Sequence, residues 1–250
     1  MKLETATALC EKLTSRTDYT EPFKLSVIED FLSPELLREV HRSFPSASDP
    51  MWETSRIAGV EQKRRTTWGS VYDVPEGIRE VVEFLNSSLF LRKLSLILDI
   101  PKLMPDPYFT GGGLNESFCG DFLDVHVDGN YHDASGLNRR VNAILYLNPT
   151  WDQKWGGNFG MYSERGSKLV REFAPLDNRL VVFDTSDSSF HGYPDPIECP
   201  NGISRKSLIL YYYTKAPQKA CETQVKDPHS ALWVKKGLRD RNNKQRREFY

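Results

Sequence analysis

The sequence predicts a mostly β fold with supporting helices. From Pro105 onward the chain breaks into short apolar and aromatic runs separated by turn residues, among them Gly111-Gly112-Gly113 and Gly120, the pattern of an antiparallel sandwich or barrel. Upstream, stretches with apolar residues at helical spacing are gathered together, so helices back a sheet rather than alternate with its strands. Composition sets the limits. The 250 residues carry a net charge of −1, with 27% charged and 39% hydrophobic residues, which excludes a strong attraction to nucleic acid or a membrane surface. The longest apolar run, Ser207 to Tyr213, falls far short of the roughly 20 residues that span a bilayer.

In chain order, Ala6, Leu9, Cys10 and Leu13 lie at helical spacing and predict a short helix over 4–15. Residues 23–28 (FKLSVI) read as a strand. Ser33-Pro34-Glu35 then opens a helix to about Ser43, with serine as cap and proline at the first helical position. Residues 45–75 carry Trp52, Arg56, Lys63, Arg64, Arg65 and Trp68 with little periodicity, and read as a long surface segment that could cover a site. Helices follow over about 75–86 and 88–98, the second stopped by Pro101. Strands are expected at about 122–128, 141–147, 158–162, 168–173, 179–184 and 205–214. The basic tail (Lys235, Lys236, Arg239, Arg241, Lys244, Arg246, Arg247) reads as a solvated helix or frayed terminus. The chain therefore divides into a helical support region over 1–104 within the same domain, a β core over 105–217 and a basic extension over 218–250. The N-terminus lacks the apolar core and cleavage site of a signal peptide. Cys10, Cys119, Cys199 and Cys221 have no paired spacing, so free thiols in the cytoplasm are expected.

The chemistry centres on Phe122-Leu-Asp-Val-His126-Val-Asp128. In a strand, side chains at i and i+2 share a face, so His126 and Asp128 can converge on one point while Val125 and Val127 pack the other way. His191, on a later strand, is the obvious third ligand. Two histidines and one carboxylate on one face of an iron leave positions open for reaction. Arg205 and Ser207 form a second i, i+2 pair. An arginine facing into a barrel is costly unless an anion meets it, and its planar fork suits a carboxylate. In 141–147 (VNAILYL) the alternation puts Asn142, Ile144 and Tyr146 on one face. These hold the polar groups and are assigned to the pocket, with Tyr146 donating to the same carboxylate as Arg205. Arg139 and Arg140, near the expected mouth, and Trp155 are candidate substrate contacts. Trp155 and the 52–68 segment are candidates for a lid. His132 is read as a loop residue near the ligands.

With His126-x-Asp128, Tyr146-Leu147-Asn148, Trp151, Gly156-Gly157, Arg179 to Phe183, His191 and Arg205-x-Ser207 in this order, the segment 105–217 resembles the 2-oxoglutarate and Fe(II)-dependent dioxygenases, in their prolyl 4-hydroxylase-like branch. The stretch Phe23 to Leu36 is similar to the strand and helix that often precede that domain. The resemblance implies a double-stranded β-helix (jelly roll, cupin-like) core with N-terminal helices packed on one sheet. It implies Fe(II) held by His126, Asp128 and His191, and 2-oxoglutarate held by Arg205 with Ser207, Tyr146 and Asn142. It also implies O2 as co-substrate, with ascorbate as an accessory reductant. Succinate and CO2 are the implied co-products of a C–H hydroxylation. Asp128, where related halogenases carry a small residue, points to hydroxylation. Collagen-type prolyl hydroxylases are expected to carry lysine where Arg205 stands.

A small-molecule substrate, an amino acid or its derivative, is expected ahead of a prolyl-hydroxylase-type modification of a peptide or protein. Two other classes compete. A non-catalytic barrel that binds a ligand or partner is disfavoured because triad and anion anchor are both intact. A dioxygenase needing no 2-oxoglutarate is disfavoured by Arg205-x-Ser207.

Overall fold

The computed structural model describes residues 1–57, 60–215, 228–234 and the backbone of 247–248. Four α-helices among the described residues lie on the N-terminal side, where the sequence pattern predicts them. Helix α1 (Leu3–Lys12) is followed, after strands β1 (Thr17–Tyr19) and β2 (Leu25–Ile28), by α2 (Pro34–Ser43), whose cap Ser33 accepts a hydrogen bond from the Leu36 amide at 3.3 Å. Helices α3 (Glu76–Leu85) and α4 (Ser88–Leu98) follow, and α4 ends on Asp99 in the left-handed conformation, just ahead of Pro101.

The surface segment expected over 45–75 is a β-hairpin. Strands β3 (Trp52–Ile57) and β4 (Glu61–Thr66) pair with each other, and β4 continues into the sheet. Both of its faces are polar, so its alternation carried no hydrophobic signal. The remaining strands are β5 (Met104–Pro105), β6 (Gly113–Ser117), β7 (Phe122–Val127), β8 (Asn138–Tyr146), β9 (Phe159–Ser163), β10 (Lys168–Phe173), β11 (Leu180–Asp184), β12 (Phe190–Tyr193), β13 (Arg205–Thr214), β14 (Leu232–Val234) and β15 (Arg247–Glu248).

These strands form one curled antiparallel sheet in the order β1-β2-β11-β8-β13-β6-β4-β7-β12-β9-β10, with β14 added to β7. The curl brings its two ends together, and the Tyr19 and Phe173 rings meet edge-on at 5.1 Å. Mostly β, jelly-roll architecture is therefore as expected. The tail departs from expectation: residues 232–234 pair with the middle of the sheet rather than fraying. Cys221 and the tail residues 235, 236, 239, 241, 244 and 246 lie outside the described residues, as does the side chain of Arg247.

The alternation read in 141–147 holds. Val141, Ala143, Leu145 and Leu147, with Leu208, Leu210 and Tyr212 of β13, face outward into the large core shared with Ile78, Val82, Phe90 and Leu94 of the helices. Ile144 and Tyr146 face inward with Phe159, Met161, Val181 and Phe183, filling the space between the two halves of the curl. Helices thus stiffen one face of the sheet, and the opposite face is left to line a site. No helix among the described residues is long and apolar enough to cross a membrane.

Candidate metal centre

His126 on β7 lies directly opposite His191 on β12, so both imidazoles point into the curl, and Asp128 follows two residues on. One ligand atom from each of the three lies within 4.8 Å of the others. His126 Nε2 stands 3.6 Å from one Asp128 oxygen and His191 Nε2 3.9 Å from the other. Each histidine has its Nδ1 2.9 Å from a main-chain carbonyl two residues back, Asp124 for His126 and Ser189 for His191. A carbonyl only accepts, so Nδ1 carries the proton and each Nε2 lone pair is turned to the common point.

Close strand approach makes this possible. A Cβ on Gly192 would meet the Asp124 carbonyl oxygen at 2.7 Å, so only glycine lets β12 lie this tightly against β7 beside His191. Burial and the neighbouring His126 push the His191 imidazole down to about 4. Burial opposes charge on Asp128, yet the facing His191 and His126 hold its carboxyl well below the usual carboxylate range. Two imidazoles with their Nε2 atoms turned to one point and a carboxylate result, which is the donor set for Fe(II) with open positions. Asn142 donates to Asp128 at 3.1 Å. It therefore orients a ligand from the side rather than lying beside Arg205.

A narrow inner pocket runs from this triad to Arg205, lined also by Asn142, Ile144, Phe159 and Tyr193. Arg205 is buried, and no carboxylate lies within ion-pairing distance of it among the described residues. Its Nε donates to the Gly157 carbonyl at 2.7 Å and its guanidinium to the Tyr146 hydroxyl at 3.3 Å. Gly157, at positive φ, is where a Cβ would press on the Arg205 side chain at 3.0 Å. Because Tyr146 accepts from Arg205, its own proton is free to donate, and burial pushes the phenol's pKa up so that the proton stays. The buried Ser207 Oγ and Asn142 Oδ1 have no hydrogen-bond partner. A buried guanidinium without an acid, beside a free phenol proton and an orphaned hydroxyl, fits the far carboxylate of 2-oxoglutarate.

An outer cleft of about 310 Å³ opens on the other side of His126 and Asp128. Glu61, Lys63 and Arg65, alternate residues of β4, form one wall. Arg139 faces this cleft with its guanidinium 4.0 Å from the Tyr211 ring centroid. Arg140, the next residue, lies where the register with β13 shifts, and it is buried in an ion pair with Asp184 at 3.0 Å. Trp155 lines neither space. Its ring packs edge-on against Trp151 at 5.5 Å, in a small cluster with Tyr193 and Ile197. His132 is a structural loop residue, its Nε2 3.0 Å from Asp106 and 3.1 Å from the Thr110 hydroxyl.

Three contributors went unread in the sequence. Tyr193 faces Arg205 at 4.3 Å and reaches the Ser117 hydroxyl at 2.9 Å. Tyr211 was legible, since it continues the inward alternation of Arg205, Ser207 and Ile209. Trp233 lies in the tail, and its indole stacks on His126 at 4.4 Å. The 52–66 hairpin is anchored rather than loose. Arg64 donates to Glu116 at 2.8 Å and lies between the Trp52 and Phe118 rings at 4.4 and 4.8 Å.

Residues 112–213 match the family model described as the 2OG-Fe(II) oxygenase superfamily. Over 86 residues the chain is 33% identical to prolyl 3-hydroxylase OGFOD1 of Mus musculus, and over 106 residues 28% identical to that of Xenopus laevis. Those matches span 33% and 39% of this chain but only 15% and 20% of the relatives' lengths. Among solved structures, a prolyl hydroxylase from Trichoplax adhaerens, in complex with a hypoxia inducible factor oxygen degradation domain peptide fragment, superposes with a TM-score of 0.59 at 19% identity. The fit covers 84% of this chain and 89% of that one. A Pseudomonas putida prolyl-4-hydroxylase gives 0.54 at 17% identity over 85% and 100%. At such identities the likeness concerns the fold, and it agrees with a double-stranded β-helix.

Proposed function

We propose, on the premise that residues 112–213 belong to the 2OG-Fe(II) oxygenase superfamily, that the protein hydroxylates prolyl residues of a peptide or protein. The observation that carries the reading is a single inner pocket with the His126, Asp128 and His191 cluster at one end and an acid-free buried Arg205 at the other. Bound there, Fe(II) and 2-oxoglutarate supply the oxidising power to insert one oxygen atom from O2 into a C–H bond, with succinate and CO2 as co-products.

The chain's own residues supply the rest. His126, Asp128 and His191 hold the metal, their orientation kept by the Asp124 and Ser189 carbonyls and by Asn142. Arg205 and Tyr146 take the far carboxylate, and Ser207 offers the remaining hydroxyl. The target residue enters through the outer cleft, between the β4 wall and Tyr211, with Arg139 available to a main-chain carbonyl or a side-chain acceptor. Lys63, its Nζ 3.2 Å from Glu61, lines both spaces.

Relatives whose names state prolyl hydroxylation favour a peptidyl substrate over the small molecule first expected. A cytoplasmic site of action suits Cys10, Cys119 and Cys199, which are all free thiols. The test is incubation with Fe(II), 2-oxoglutarate and a proteome-derived set of proline-containing peptides, read by mass spectrometry. Gain of one oxygen on proline, dependent on both additions, is expected. Oxygen gain only on free metabolites would restore the small-molecule reading, and no 2-oxoglutarate consumption under any condition would overturn the activity itself.

A further inference from the structure

The C-terminal segment 228–234 is held against the metal centre at four points, and each contact falls on or near the stretch that carries a ligand. The His229 amide donates to the Asn130 side chain at 2.9 Å, and the Asn130 amide returns a bond to the His229 carbonyl at 3.2 Å, two residues beyond Asp128. His229 Nε2 lies 3.2 Å from Asp187, in the turn that leads to His191. Strand β14 then pairs with the C-terminal half of β7, setting Leu232 against Val127, Trp233 against His126 and Val234 against Val125.

Directly opposed residues of an antiparallel pair share a face. Leu232 and Val234 therefore turn outward, where Val234 joins the buried cluster of Val125, Val127, Tyr162 and Phe190. Trp233 turns inward. His191, His126 and Trp233 consequently form a row across three adjacent strands, with ring centroids 4.4 Å apart at each step and the indole within 28° of parallel to the His126 ring. His191 has its own aromatic support, stacked on Phe159 at 5.4 Å and edge-on to Phe183 at 4.8 Å. For His126 among the described residues, the indole is the corresponding support, and it also lines the outer cleft.

We propose that Trp233 is a positioning residue of this site: the C-terminal strand brings its indole onto the His126 imidazole, fixes that ring's plane for metal binding, and closes the wall of the outer cleft. The proposal rests on the metal-binding reading above. Removal of partners that orient a histidine ligand typically costs ten- to a hundredfold in metal affinity. A stacked aromatic shares the work with the Nδ1 bond to Asp124, so the lower end is expected.

The test uses the full chain and Co(II), added anaerobically. Trp233→Ala is expected to bind Co(II) about tenfold more weakly than the unsubstituted protein, with Trp233→Phe restoring most of the loss. Co(II) should quench tryptophan emission, and Trp233→Phe should lose a large share of that quenching while keeping its affinity, a signature that a merely stabilising role would not give. In the metal-free protein, the His126 ring protons should sit upfield in the NMR spectrum and move downfield in both variants, most in Trp233→Ala. If the unsubstituted protein binds Co(II) and both variants bind it equally, with unchanged quenching and ring-proton shifts, the positioning role is overturned. If the unsubstituted protein fails to bind Co(II) at all, the metal-binding reading falls and takes this role with it.

Discussion

Arg205 illustrates how a single side chain can declare a ligand. It is buried, its Nε and one other nitrogen are engaged by neutral oxygens, and no acid reaches it among the described residues. A guanidinium held so is stable only if an anion completes its shell. Arg205→Ala should therefore weaken 2-oxoglutarate binding by about 1.5–3 kcal/mol, the usual worth of hydrogen bonds to a charged group, or roughly ten- to a hundredfold. Calorimetric titration of the metal-loaded protein measures it, and unchanged affinity would remove Arg205 from the site. Asn142→Ala removes the side-chain donor that β8 offers to Asp128, and should lower Co(II) affinity about tenfold while leaving 2-oxoglutarate recognition by the assembled complex intact. At this scale much was readable beforehand. His126, Asp128, Arg205, Ser207 and Tyr146 each follow from the two-residue repeat of a strand. Arg139 and Arg140 were not separable beforehand: the two-residue repeat puts Arg140 on the face of Asn142 and Ile144, but the register with β13 shifts there, Val141 pairing with Tyr212 and Arg139 with Tyr213, and it is Arg139 that reaches the cleft. Asn142 was placed in the right pocket, but its hydrogen bond runs to Asp128.

Elements show where the sequence falls silent. Strands β8 and β13 were legible because one face meets helices and the other meets the site, which gives an apolar and polar alternation. Strand β4 was not, since Glu61, Lys63 and Arg65 face the cleft while Arg64 and Thr66 bond to Glu116 and the Leu114 amide. With polar residues on both sides it has no hydrophobic period to read. Strand β14 is three residues long and followed by a basic tail, so its pairing partner is what defines it. The contact of β12 with β7 gives a prediction of its own. Gly192→Val places a branched side chain against the Asp124 and Leu123 carbonyls, 2.7 and 2.9 Å from the Cβ position. It should separate the two histidine-bearing strands, cost about 1–3 kcal/mol of stability as overpacking does, and abolish Co(II) binding. Denaturant unfolding and Co(II) absorption spectra, measured on the same preparation, report the two effects; a destabilised protein with full metal affinity would contradict the account.

Across the whole molecule, the sheet separates two jobs. Its outer face and the helices make the larger core, in which Phe90 is fully buried among Phe31, Phe84 and Tyr212. Phe90→Ala should cost about 3–5 kcal/mol and lower the thermal midpoint, with Co(II) and 2-oxoglutarate affinities of the folded fraction unchanged. Coupled losses would mean that the helical layer shapes the site more directly than its position suggests. Residue 1 and strand β14 lie on different sides of the sheet as well. Met1 is tied through its amino group to Glu80 of α3 at 3.0 Å, on the helical side, whereas β14 borders the outer cleft and β15 pairs with β14. Orientation on a surface follows from this. Protein immobilised through residue 1 is held by its helical side and presents its cleft to solution, so large substrates should reach it unhindered, whereas a bulky label attached beside β14, at Ser230, should obstruct the mouth.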